Sequence, residues 1–222
     1  MTRTLAIAVL GLAFSAAAVG NLRARHVAGT DTGPKASPAA PEVAVTKRHK
    51  ATGAMIAASS RKANTPAPSF EAKGSDGDTY VLADLNAKWP VALVFIKDGC
   101  PCSKSAEPYF QQLHAAAGGW VPFLGVIDGD EAVAQRWVEE NGTPFPVVAD
   151  PDKTIIRAYG IENSAYVALL APGGRIEKLW PGYSADMLRE ITDKMAQLSG
   201  KPIELIETRF APDELYSGCP FD

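Results

Sequence analysis

Two of the three cysteines in this 222-residue chain, Cys100 and Cys102, are separated by a single proline. They follow the apolar run Val91–Ile96 and directly precede a segment with helical spacing. Free backbone N–H groups and the positive dipole end at the start of a helix stabilise negative charge, so a cysteine placed there has a lowered pKa and more nucleophilic thiolate. The spacing therefore predicts thiol redox chemistry where a buried strand meets a helix.

The third cysteine, Cys219, lies far from the other two in sequence. Three cysteines are too few for a disulfide scaffold, and about 135 residues can build an apolar core without such staples. The cysteine pair therefore requires a chemical explanation.

The elements that position these cysteines alternate between strands and helices, separated by glycine and proline. We predict hairpins over 70–82 and 166–180, strands over 91–96, 121–127 and 146–149, and helices over 103–117, 131–140, 153–159 and 185–198. This order predicts an α/β fold with a central mixed sheet flanked by helices. The folded domain is expected over 65–200, followed by a C-terminal arm over 201–222 that carries Cys219.

Residues 1–20 have the composition of a signal peptide or membrane anchor. Arg3 supplies a positive charge, residues 5–20 are apolar, and Ser15 and the three alanines after it suit a cleavage site. We expect an exported protein, periplasmic or extracellular, with residues 5–20 as its membrane anchor if they are not cleaved.

Residues 21–64 are rich in small and polar residues and carry eight basic but only two acidic side chains. Such a segment buries too little apolar area to offset chain entropy, so we predict a disordered linker. From Ala63 onward acidic residues outnumber basic ones by 23 to 13. The contrast suggests a basic tether that can contact an anionic membrane surface or a cell-wall polymer, in front of an acidic domain, and a solvated flexible segment is the simpler interpretation. No aromatic residue interleaves its basic cluster, so we expect no nucleic-acid partner.

Several fragments recur in the order found in a known family. They are Thr65-Pro-Ala-Pro-Ser-Phe70, Val81-Leu-Ala-Asp-Leu85, Trp89-Pro-Val-Ala-Leu-Val-Phe95, Ala149-Asp-Pro-Asp152 and Leu169-Leu-Ala-Pro-Gly-Gly-Arg-Ile176, with the cysteine pair between the third and fourth. Over residues 65–198 the chain resembles the alkyl hydroperoxide reductase/thiol-specific antioxidant (AhpC/TSA), redoxin-type group of thioredoxin-like proteins. The resemblance implies a thioredoxin-like fold and a cysteine that attacks a disulfide or a peroxide, with a second thiol that resolves the intermediate.

In the register of this resemblance Cys100 takes the place of the attacking cysteine, and Ser103 takes that of the usual second cysteine. The resolving thiol is then Cys102 or Cys219. Pro101 stiffens the turn, and the Ser103 hydroxyl is expected to cap the helix or, alternatively, to act as a polar group beside the thiolate. The place of the family's cis-proline falls on Ala165.

The leading hypothesis is an exported thiol–disulfide oxidoreductase that acts through Cys100 on a disulfide-bearing protein and is served by a thiol electron donor. An atypical thiol peroxidase that reduces hydroperoxides is an alternative, although the family's Pro and Thr/Ser positions fall on Leu93 and Lys97. A copper(I) or zinc carrier using the Cys-x-Cys pair, and a purely structural disulfide, are further alternatives. The leading hypothesis requires no cofactor and no metal.

Overall fold

A computed structural model describes residues 49–221. The predicted signal peptide or anchor over 1–20 and the linker up to residue 48 lie outside these residues. Within the described residues, no helix is both long and apolar enough to span a bilayer.

The described residues form nine strands and six helices. In chain order they are β1 (His49–Lys50), α1 (Gly53–Arg61), β2 (Glu71–Lys73), β3 (Thr79–Val81), α2 (Leu82–Leu85), β4 (Val91–Ile96), α3 (Pro101–Ala117), β5 (Phe123–Ile127), α4 (Glu131–Asn141), β6 (Val147–Ala149), α5 (Thr154–Tyr159), β7 (Val167–Ala171), β8 (Arg175–Trp180), α6 (Ala185–Ser199) and β9 (Tyr216–Ser217).

The predicted central mixed sheet is present, with strand order β6-β5-β4-β7-β8. Strands β4, β5 and β6 are parallel to one another, whereas β7 pairs antiparallel with β4, and β8 pairs antiparallel with β7. All six residues of β4 are buried. Val94 packs in the core beneath α3 and α6, while its neighbour Phe95 packs in the opposite core with Tyr159 of α5. Burial on both faces explains why β4 is a continuous apolar run.

Helix α3 begins where β4 ends, after a short turn. Its N-cap is Cys100 and its first residue is Pro101, whose missing N–H costs nothing at that position. Gly118 ends the helix in the left-handed conformation, with φ 57°. The strand–turn–helix unit therefore fixes the place of Cys100 from residues close to it in sequence.

The expectation of a disordered linker is wrong for residues 49–61, because β1 and α1 lie there. Thr52 caps α1: its hydroxyl accepts the N–H of Met55 at 3.2 Å, and the Met55 sulfur accepts the N–H of Thr52 at 3.4 Å. Helix α1 packs against β8, and only Met55 and Ser59 are buried. Met55 and Ser59 are four residues apart and share one face, but one of the two is a serine, so the sequence shows no apolar stripe and composition alone missed a helix that packs against β8.

The arm contains one short strand within its described residues, 201–221. This strand, β9, pairs antiparallel with β1, so that His49 lies opposite Ser217. The two ends of the described chain are therefore tied together beside the central sheet.

Candidate active site

The sulfur of Cys100 lies at the start of α3 and is almost inaccessible, with 2% of the residue exposed. Two donors reach it from other parts of the chain. The backbone N–H of Cys219 donates to Sγ at 3.1 Å, and the hydroxyl of Ser164 donates to it at 3.5 Å. Donors aimed at a sulfur favour its charged form, so this environment suits a thiolate.

The Ser164 hydroxyl belongs to a chain of hydrogen bonds that starts in the turn before α3. The N–H of Lys97 donates to Oγ of Ser103 at 3.3 Å, and the Ser103 hydroxyl donates to Oγ of Ser164 at 2.8 Å. The N-cap of the helix is Cys100 and not Ser103. The expectation that the Ser103 hydroxyl caps the helix is therefore wrong. Ser103 lies three residues beyond the cap and is buried, and its hydroxyl reaches Ser164, which in turn donates to the Cys100 sulfur.

The three thiols have divergent acidities. A hydrogen bond from Cys102 lowers the pKa of Cys100 most, and those from Cys219, Ser164 and the N–H of Ser103 lower it further, against the opposing effect of burial. The hydrogen bond to Cys100, followed by burial, raises the pKa of Cys102. Burial, followed by the hydrogen bond to Cys100, raises the pKa of Cys219. These shifts favour the charged form of Cys100 and the neutral forms of Cys102 and Cys219.

The structure brings all three predicted cysteines to one point. Their sulfurs lie within 4.8 Å of one another, and none is in a disulfide. Cys100 and Cys102 are buried, whereas Cys219 is half-buried. Pro101 and Ser103, expected to support the site, lie in the same first turn of α3.

Charged side chains beside the turn are engaged at the surface. Asp98 pairs with Arg136 at 2.8 Å, and Lys104 pairs with Glu140 at 3.4 Å, all of them well exposed. The causes that shift the pKa of Cys100 are hydrogen bonds and burial.

Sequence reasoning missed Ser164, which contacts the reacting sulfur. It directly precedes Ala165, the residue that takes the place of the family's cis-proline. Ala165 has a positive φ of 61°, and no peptide bond among residues 49–221 is cis. The position next to Ala165 was the only feature of the sequence that pointed to Ser164.

A short part of the arm, residues 216–221, lies against this region; we call it the docked segment. Ser164 pairs with it through both backbone groups: its N–H donates to the carbonyl of Cys219 at 2.9 Å, and its carbonyl accepts the N–H of Gly218 at 2.7 Å. The side-chain amide of Asn163 donates to Oγ of Ser217 at 3.0 Å and to the carbonyl of Gly218 at 2.8 Å. These bonds place Cys219 over the thiolate.

Gly218 permits this close approach. A Cβ at this position would stand 1.9 Å from Oγ of Ser164 and 2.9 Å from its carbonyl carbon and oxygen. Real Cβ atoms do not approach backbone so closely, so residue 218 must be glycine for the segment to dock in this way.

A thioredoxin-like sheet with a hydrogen-bonded thiolate at the start of a buried helix defines a thiol-dependent oxidoreductase. Comparison with protein families places the chain more narrowly. It belongs to the AhpC/TSA family, whose model matches residues 63–179.

Two curated relatives are named thiol-disulfide oxidoreductase ResA. The one from Bacillus subtilis is 30% identical over 119 residues, which span 52% of this chain and 65% of the relative. The one from Oceanobacillus iheyensis is 31% identical over 122 residues, which span 52% of this chain and 63% of the relative. A putative peroxiredoxin bcp from Coxiella burnetii is 24% identical over 135 residues, or 54% of this chain and 88% of that protein.

Solved structures resemble the fold. A putative thiol:disulfide interchange protein DsbE from Chlorobium tepidum superposes with a TM-score of 0.56 and 20% identity, covering 62% of this chain and 98% of that one. The structure of MTB dsbF in mixed oxidized and reduced forms superposes with a TM-score of 0.51 and 26% identity, covering 58% of this chain and 94% of that one. Both support the thioredoxin-like fold predicted from the sequence.

Proposed function

We propose that this protein is a thiol–disulfide oxidoreductase whose nucleophile is Cys100. The observation that carries the proposal is the set of donors around its sulfur: the N–H of Cys219, the hydroxyl of Ser164 and the thiol of Cys102. A thiolate stabilised in this way persists at neutral pH, and the thiolate is the species that attacks disulfides. The relatives named ResA support the same class of reaction.

The reaction proceeds by two exchanges. The Cys100 thiolate attacks one sulfur of a substrate disulfide, the substrate S–S bond breaks, and the released sulfur leaves as a thiolate that takes up a proton. A second thiol of the protein then loses its proton and attacks the Cys100 sulfur, which releases the other substrate sulfur. Two electrons have passed from the protein to the substrate, and an external thiol donor restores the reduced cysteines.

We propose Cys219 as the second thiol. Its backbone N–H already contacts the Cys100 sulfur, and it belongs to an arm without regular structure on either side of β9, so it can move toward the mixed disulfide. Cys102 lies in the first helical turn, two residues from Cys100, where a disulfide would close a very short loop. Formation of the mixed disulfide also removes the charge on Cys100, so the part of the raised Cys219 pKa caused by that charge disappears.

Single cysteine variants test this assignment. Cys100→Ser should abolish reduction of a disulfide substrate, and Cys219→Ser should accumulate the mixed disulfide on Cys100, as detected by mass mapping. Ser105→Ala, a half-buried position further along the same helix whose hydroxyl donates to the carbonyl of Pro101 at 3.0 Å, serves as the control and should keep full activity. Full activity in Cys100→Ser would overturn the proposal, and a trapped mixed disulfide in Cys102→Ser but not in Cys219→Ser would reassign the second thiol.

Hydroperoxides are assayed with the same variants. The peroxidase alternative predicts consumption of hydrogen peroxide through a sulfenic acid on Cys100. Faster turnover of peroxide than of any disulfide would make it the leading function.

A soft metal ion is a second candidate ligand for the site, favoured by the three sulfurs that lie within 4.8 Å of one another. Thiolates select copper(I) and zinc. Metal analysis of protein prepared under reducing conditions should then find one equivalent of either ion, and Cys219→Ser should lose it. Metal-free protein that fails to retain either added ion would remove this candidate.

We propose that the protein is exported and that its basic linker contacts an anionic membrane surface. The apolar residues 5–20 after Arg3 and the excess of basic residues over 21–64 support this. N-terminal sequencing of the mature protein and cell fractionation test it, since cytoplasmic protein that begins at Met1 would contradict export.

A further inference from the structure

The docked segment covers the Cys100 sulfur. Cys100 is 2% exposed, and the backbone N–H of Cys219 donates to its sulfur at 3.1 Å. The half-buried side chain of Cys219 is the thiol of the cluster that reaches solvent. Access to Cys100 therefore depends on how far this segment must move.

Hydrogen bonds hold the segment along one edge in the manner of an added strand. Glu162 and Ser164 each accept an N–H from the segment, at 2.9 Å from Phe221 and 2.7 Å from Gly218. Ser164 also donates its own N–H to Cys219 at 2.9 Å. A polypeptide that approached Cys100 in extended form would need these same backbone groups, because backbone pairing is how extended chains dock on a sheet edge.

Further contacts fasten both ends of the segment. Tyr216 and Tyr183 exchange two backbone hydrogen bonds, at 2.8 and 3.0 Å. The ammonium group of Lys97 donates to the carbonyl of Pro220 at 2.7 Å. A polypeptide would have to break these bonds together, whereas a small disulfide needs only a local displacement around Cys219, without the loss of the bonds at Tyr183 and Lys97.

We propose that the docked segment is the specificity element of this active site: it admits low-molecular-weight disulfides to Cys100 and excludes disulfides held in polypeptides. The inference rests on the proposed thiol–disulfide exchange and names its substrate class. A small disulfide gives up its S–S bond to the Cys100 thiolate, one half leaves as a thiol, and Cys219 releases the other half by forming the Cys100–Cys219 disulfide.

Gly218→Ala in the full-length chain tests this proposal, because the added Cβ cannot fit beside Ser164 and pushes the segment away. The measured quantity is the rate of the first step, formation of the mixed disulfide on Cys100, with oxidised glutathione and with insulin as substrates. In Gly218→Ala the ratio of the rate with insulin to the rate with glutathione should rise about tenfold or more. In the wild-type protein insulin must first break hydrogen bonds of the docked segment, which together stabilise docking by about 1.4 kcal/mol or more, and about 1.4 kcal/mol corresponds to a factor of ten. Gly53→Ala, where a Cβ meets nothing within 4 Å, should leave the ratio unchanged.

Asn163→Ala provides a second variant in case Gly218→Ala does not fold. It removes the two side-chain bonds that hold Ser217 and Gly218 without adding any atom. Hydrogen exchange of the Cys219 amide reports whether the segment has left. An unchanged ratio with a released segment overturns the inference, and so does a segment that stays protected in both variants. If neither glutathione nor insulin reacts at Cys100 in any variant, the proposed function itself fails.

Discussion

The cysteine turn, residues 97–103, and the docked segment supply thiols to the same point by different means. The turn is fixed by the buried strand before it and the buried helix after it, so its geometry depends on neighbours in sequence. The docked segment reaches Cys100 across 119 residues and is held largely by hydrogen bonds to backbone groups. Cys100 is therefore part of the buried core, whereas Cys219 belongs to the docked segment.

The cysteine turn and the docked segment are therefore expected to differ in local stability. Cys100 lies between a buried strand and a helix with many buried residues, whereas Cys219 is held by the hydrogen bonds of the docked segment. We therefore expect Cys219 to be released by a local opening that costs less than global unfolding. A nucleophile that stays and a partner that moves are what a two-step exchange needs.

The largest effect on the rate of disulfide reduction is expected from substitution of Cys100 in the cysteine turn. Cys100→Ser should lower the rate of disulfide reduction by about 10³-fold or more, because loss of a nucleophile removes the covalent step. Cys219→Ser should leave the first step intact and block only turnover. Stopped-flow measurement of mixed-disulfide formation separates the two, and an equal loss of the first step in both variants would break the comparison.

The second largest effect is expected on the stability of the docked segment. Asn163→Ala should weaken docking by about 1–3 kcal/mol, since two buried hydrogen bonds disappear. Hydrogen exchange at Gly218 and Cys219 should then quicken by roughly tenfold to a hundredfold, while exchange in β4 keeps its wild-type rate. Faster exchange in β4 as well would mean that the segment and the core unfold as one unit.

A smaller effect is expected on the acidity of Cys100. Ser164→Ala removes a donor to the thiolate, which disfavours the charged form, so the pKa of Cys100 should rise. In the wild-type protein the alkylation rate of Cys100 should be almost independent of pH between 5 and 8. The midpoint in the variant should lie about 1 pH unit higher than in the wild type, and an unchanged or lower midpoint would show that Ser164 does not stabilise the thiolate.

The smallest effect is expected at Ser103. Ser103→Ala leaves Ser164 in contact with the sulfur but removes the hydroxyl that polarises it. The midpoint of Cys100 alkylation should rise by less than in Ser164→Ala, and the double variant should match Ser164→Ala alone. Additive effects in the double variant would mean that Ser103 acts on Cys100 by another route.

The sequence predicted what neighbouring residues decide. The continuous apolar run of β4, the glycine after α3 and the arginine-to-tryptophan strand β8 each carry a local signal, and all three elements lie where they were expected. The position of Cys100 at the start of a helix follows from the same local pattern.

The remainder depends on contacts that no local pattern encodes. Helix α1 is stable because β8 covers it, and Ser164 contacts Cys100 only because two loops meet at the end of the sheet. The choice between Cys102 and Cys219 stayed open for the same reason, since spacing places one beside Cys100 and only the tertiary pairing of the arm places the other there. The sheet was therefore easier to predict than the site built on it.

The pairing of β1 with β9 has a consequence for the order of folding. It joins residues 168 positions apart, such as His49 and Ser217, and chain segments so distant meet late because a long loop must close first. We therefore expect Cys219 to reach Cys100 in one of the last folding steps, after the sheet has formed. Until then the docked segment does not cover the Cys100 sulfur, so non-native disulfides between Cys100 and other chains should form most readily during this interval.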